Sequence, residues 1–84
     1  MTVREELLEY IDEDAVILEG EEFDDGIYGY SSDGRIVYDY DMLVASLVKS
    51  GMTEEDAIEW IDFNTMRALP YMGEMAPVIV HRME

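Results

Sequence analysis

The chain has no cysteine, which rules out disulfides and thiolate metal sites and fits a reducing compartment. Cations are almost as scarce, with five Lys and Arg against 21 Asp and Glu for a net charge of −16. There is one histidine, His81. A lone His beside a terminal strand is commonly a surface residue, and we expect no base there. Ser31, Ser32, Ser46 and Ser50 sit in turn or helix-end contexts, without a nucleophile-elbow sequence. The scattered glycines build no phosphate-cradling loop followed by Lys. Paired carboxylates of the glycosidase kind are available in residue type, but so short a chain can hardly wall a substrate cleft. Neither an enzyme nor a cofactor is expected. Apolar runs stop at four residues, far short of a membrane span. MTVREELLEYIDED lacks a cationic region followed by an apolar run, so no secretory signal is expected there, and a cytoplasmic location is.

What is present is enough for a core. Hydrophobic residues make up 49% of the 84, aromatics 11%, and there are only two prolines. This composition specifies a folded chain despite its charge, and the length specifies one domain, residues 1–84. Val3, Leu7 and Ile11 share a helical face over 2–13, with Leu8 beside them and Thr2 and Glu5 at capping-box spacing. AVILEG at 15–20 reads as a short strand and EEFDDG as an acidic turn or loop. IYGYSSDGRIVYDY reads as a hairpin about SSDG, with Tyr28 and Tyr30 on one face and Ile36 and Tyr38 on one face of its second strand. Asp39 or Asp41 caps a second helix to about Ser50, which Gly51 stops. Thr53 opens a third, with Ala57, Ile58 and Ile61 inward and NTMRAL continuing it until Pro70. PVIV at 77–80 is a final strand. The order α-β-β-β-α-α-β implies an α+β fold: an antiparallel sheet of three to four strands packed against two or three helices.

The acid is unevenly placed. Residues 1–25 hold eleven acids and one base, 26–50 three acids and two bases, and 51–84 seven acids and two bases. A net magnitude of about 2–8 already keeps a small domain soluble, and the surplus costs stability through self-repulsion. Glu55, Glu59 and Asp62 follow an i, i+4, i+7 row, repeated by Glu5, Glu9 and Asp12. Four helical residues advance about 6 Å, comparable to the spacing of charges along a polynucleotide. Rows of carboxylates on a helix therefore fit a basic groove that normally holds phosphates. Amphipathic helices also expose Glu at this spacing without any partner. DEDAVILEGEEFDDG offers oxygen ligands for calcium but lacks the EF-hand spacing, with Ile17 where glycine belongs, so no metal is expected. The tyrosines are of the type that stacks on bases, but only Arg35 and Lys49 lie near them, and the overall charge disfavours direct nucleic-acid binding. They are expected to pack the hairpin against helices. Trp60 and Phe63 fall off the Ala57–Ile61 face, as buried aromatics or as an interface, a homodimer included. Met42, Met66, Met72 and Met75 suit either an irregular core or an adaptable surface.

MTEEDAIEWIDFNTMRALPYMGEMAPVIV resembles a group of small, functionally unassigned proteins of bacteriophages and mobile elements, most specifically at EWIDFNTMRALPYMG and weakly at GRIVYDYD. The acidic N-terminal segment lies outside the resemblance, and no catalytic role comes with it. In charge and size the chain is similar to acidic anti-CRISPR proteins. That likeness implies a DNA mimic in the bacterial host cytoplasm, inhibiting a basic nucleic-acid-binding protein, a Cas effector foremost. Its contact set would draw on Glu19, Glu21, Glu22, Asp24 and Asp25, with Glu55, Glu59 and Asp62 as a second row. The alternative is a prophage accessory protein that oligomerises or adapts other proteins through Trp60, Phe63 and nearby methionines.

Overall fold

A computed structural model describes residues 3–18 and 20–83. The fold is α+β. Helix α1 (Val3–Leu7) is followed by a 3-10 helix (Glu21–Gly26), then by strands β1 (Ile27–Tyr30) and β2 (Ile36–Asp39). Helices α2 (Tyr40–Lys49) and α3 (Glu54–Trp60) come next. A π-helix (Ile61–Met66) and a second 3-10 helix (Leu69–Tyr71) lead to β3 (Val78–Val80). The sheet order is β1-β2-β3. β1 pairs with β2 antiparallel, as the hairpin requires, but β3 joins β2 parallel, so the sheet is mixed rather than antiparallel. The two helices between β2 and β3 supply the long crossover that parallel pairing needs.

The first helix is shorter than its apolar periodicity predicts. After Leu7 the amides of Glu9 and Tyr10 reach only three residues back, to Glu6 and Leu7. Asp12 then leaves the helix altogether: its amide donates to the Gly34 carbonyl, and its carboxylate accepts from Asp14 N at 2.8 Å. A short acidic side chain that bonds the backbone two residues on favours a turn over a helix. The predicted capping residue Thr2 lies outside the described residues.

AVIL is not a strand. Its amides go to scattered acceptors: Ala15 to Asp12, Val16 to Met75, and Leu18 to the Tyr38 hydroxyl. No ladder forms from one bond to each of three places. Conversely, EEFDDG is an ordered 3-10 helix and not a loop. Three residues per turn stack positions i and i+3, which sets Phe23 and Gly26 together on the buried side.

Around these elements the core gathers Leu7, Leu18, Phe23, Ile36, Tyr38, Leu43, Leu47, Ala57 and Ile61. Ile36 and Tyr38 share the inward face of β2, and both are fully buried. Helix α2 touches the first 3-10 helix, α3 and β2, so it is the element on which the others are assembled. Asp39 caps it, accepting from Met42 N at 3.1 Å, and the helix ends at Lys49, just before Gly51. Thr53 caps α3 by accepting from Asp56 N. Helical backbone continues past Pro70, against expectation, because Pro70 sits in the first turn of a new 3-10 helix, where its missing N–H is not needed. Met52, Met66 and Met72 pack on the core. Among the described residues no helix is long and apolar enough to cross a membrane.

Candidate functional site

Four carboxylates of the sequence-predicted set, Glu22, Asp25, Glu55 and Glu59, fall on the first 3-10 helix and on α3. Within the first 3-10 helix, Phe23 and Gly26 are buried, and Glu22 and Asp25 are exposed one turn apart. At a rise of about 2 Å per residue they are separated by about 6 Å along the axis. On α3, Glu55 and Glu59 are both exposed, and four α-helical residues again span about 6 Å. The two pairs thus have matched axial spacings, near two nucleotide steps of about 3.4 Å.

Three interactions fix the first element. The Ser46 hydroxyl, on α2, donates to the carbonyl of Glu22. Gly26 lies so close to α2 that a Cβ there would clash with the Leu43 side chain. Most directly, the Phe23 ring packs on Trp60 with centroids 5.6 Å apart and planes tilted by 31°. That contact joins the acidic 3-10 helix to the end of α3.

Other members of the predicted set do not join this arrangement as expected. Glu19 lies outside the described residues, and of Glu21 only the backbone is described. Asp24 is half-buried. Asp62 is exposed but falls within the π-helix, and it accepts a hydrogen bond from the Tyr40 hydroxyl at 2.9 Å. It is a structural partner of Tyr40 rather than a third member of a plain α-helical row. The Glu5, Glu9, Asp12 row does not exist as a helical row, since α1 ends at Leu7 and Asp12 is in a turn.

Arg35 and Arg82 spend their charge elsewhere. Ion pairs join Arg35 to Asp33, and Arg82 to Asp39 and Asp41. None of them touches Glu22, Asp25, Glu55 or Glu59. Arg82 Nε sits 3.1 Å from Oδ2 of the fully buried Asp39, satisfying that oxygen by charge without an aligned hydrogen bond. Arg35 Nε donates to the Ala76 carbonyl at 2.7 Å. Arg67 places its guanidinium 5.1 Å from the Phe63 ring centre. Lys49 shares a shallow depression with Asp25.

The aromatic surface is partly open. Trp60 is 36% exposed and Phe63 62%, so burial in the core does not account for them. The Asn64 side-chain amide donates to the Trp60 carbonyl at 2.9 Å, at the point where the α-helix gives way to the π-helix. Single π segments within helices recur at functional sites. Nothing in the apolar periodicity marked this change; Asn64 within a helical run was the available signal.

The tyrosines divide. Tyr38 is fully buried and Tyr40 is half-buried, its ring 4.6 Å from that of the exposed His81. Tyr28 and Tyr30 point outward instead of packing against helices, and Tyr30 stacks on Tyr10 at 4.9 Å. A bulge at Tyr28 accompanies this outward set. Among the described residues no three His, Asp or Glu side chains converge as a metal-holding group. Comparison of the chain with family models, with curated proteins and with solved structures yields no match.

Proposed function

We propose that this protein is an acidic inhibitor that mimics nucleic acid and occupies the cationic groove of a DNA-binding protein, with a Cas effector as the leading target. The supporting observation is the Phe23–Trp60 contact, which joins the 3-10 helix that carries Glu22 and Asp25 to the end of the helix that carries Glu55 and Glu59. Four carboxylates on two helical elements, without ion-pair partners among the described residues, present ordered negative charge. A groove shaped for phosphates supplies the missing cations and releases its counterions on binding. The choice of a Cas effector rests on the likeness to acidic anti-CRISPR proteins and not on the geometry.

The test is recovery of a basic DNA-binding protein from bacterial lysate, with duplex DNA competing for it. Reversing Glu22 and Asp25 to Lys should weaken capture at least about tenfold, as expected when like charges are set in an interface, and leave circular dichroism unchanged. Capture indifferent to DNA and to those reversals would refute mimicry. The exposure of Trp60 and Phe63 favours a second reading, an adaptor that binds or oligomerises through that aromatic surface. Its signature is binding that persists in high salt and disappears in Trp60→Ala.

A further inference from the structure

A hollow of about 380 Å3 opens along α3 and the π-helix, lined by Met52, Asp56, Glu59, Trp60, Phe63 and Asn64. It combines an apolar base, two partly open aromatic rings and two exposed carboxylates. Among the described residues no ion pair reaches Asp56 or Glu59. We propose that this hollow receives one arginine side chain of the cationic partner. The proposal rests on the mimicry reading for the source of that arginine, a residue that otherwise holds DNA.

Chemistry selects the occupant. A guanidinium is planar and weakly hydrated, stacks on aromatic faces, and donates in a fork to carboxylates. The rings of Trp60 and Phe63 offer the faces, and Asp56 and Glu59 offer the acceptors. The molecule already uses half of this chemistry, since Arg67 packs on the Phe63 ring without being one of the residues that line the hollow. An apolar helix in the same place would bury the two carboxylates unpaired, which is costly. A second copy of the chain would bring a further net charge of −16 against the same acids. A lysine satisfies the carboxylates but stacks less well, so arginine over lysine is the distinguishing preference.

The chain has one tryptophan, so its fluorescence reports on the hollow directly. We expect tri-arginine to shift Trp60 emission and to bind about fivefold more tightly than tri-lysine at low ionic strength. Phe63→Ala, a change at an exposed ring, should remove that preference while Trp60 remains as reporter, and Asp56→Asn should weaken both peptides. Equal affinity for the two peptides, no binding of either, or an arginine preference intact in Phe63→Ala would each overturn the proposal. Failure here is separable from failure of mimicry. A protein that DNA still displaces from its captured partner, yet does not distinguish tri-arginine from tri-lysine, loses only the hollow. Arginine preference in a protein that DNA never displaces supports the hollow and removes the mimicry.

Discussion

Tyr40 shows how one side chain couples the acid to the fold. Its hydroxyl donates to Asp62, and its pKa is pushed up to about 12, first by burial, then by that hydrogen bond and the negative charges of Asp62 and Asp41. A group whose pKa is raised on folding contributes stability that is complete below its unfolded value near 10 and is lost as pH rises toward 12. Urea unfolding midpoints should therefore fall between pH 10 and 12, and fall less in Tyr40→Phe. An identical alkaline loss in that variant would remove Tyr40 as its source. Asp39 is the opposite case, a carboxylate fully buried because it has two tasks. It caps α2 and pairs with Arg82. Asp39→Ala should cost about 1–2 kcal/mol, the range for loss of a good cap. Arg82→Ala leaves the buried oxygen without its cation and should cost about 1–3 kcal/mol, despite lying in an exposed residue. Thermal or urea denaturation checks both. At Asp33 the pKa is lowered, mainly by the hydrogen bond from Ser31, with Arg35 nearby, which helps hold the hairpin turn.

Among the elements, the first 3-10 helix depends most on shape. Gly26 has no room for a side chain, because Leu43 of α2, itself fully buried, occupies the space. Gly26→Ala should destabilise by about 1–3 kcal/mol through overpacking and also weaken partner binding, since displacing this helix moves Glu22 and Asp25 together. If stability falls while binding of the folded fraction stays unchanged, the position of this helix does not matter for recognition. The hairpin makes a second demand on glycine. Gly34 has φ +82° and presses on the Asp12 backbone, so the SSDG turn is read correctly from sequence because its last residue tolerates that angle. The caps at Asp39 and Thr53 were legible for a similar reason: each acts within three residues of itself. The strand expected at 15–20 was not, since its amides are taken by Met75 and Tyr38, residues remote in sequence.

At the scale of the molecule the issue is a net charge of −16 on a chain with a Cα radius of gyration of 12.5 Å. Charges confined to that volume repel within about a Debye length, roughly 10 Å at 0.1 M salt. Raising NaCl from 20 to about 300 mM should therefore increase the unfolding temperature by several degrees, as screening relieves the repulsion. A flat response would place the carboxylates too far apart to matter. Partner binding should move the other way and weaken steeply with salt, as counterion release requires. The contrast between a stabilised fold and a weakened complex is the whole-molecule mark of a charge mimic.

By itself the sequence determined the α+β class, the hairpin, the cap of α3, the choice of Asp39 or Asp41 for the cap of α2, and the helical spacing of Glu55 and Glu59. Those features depend on periodicity and on side chains bonding their own backbone a few residues away. The tertiary structure alone decided that β3 runs parallel to β2, that an acidic turn is a 3-10 helix presenting Glu22 with Asp25, and that Phe23 meets Trp60. Each of these requires contact between segments far apart along the chain, and local pattern carries no distance between such segments.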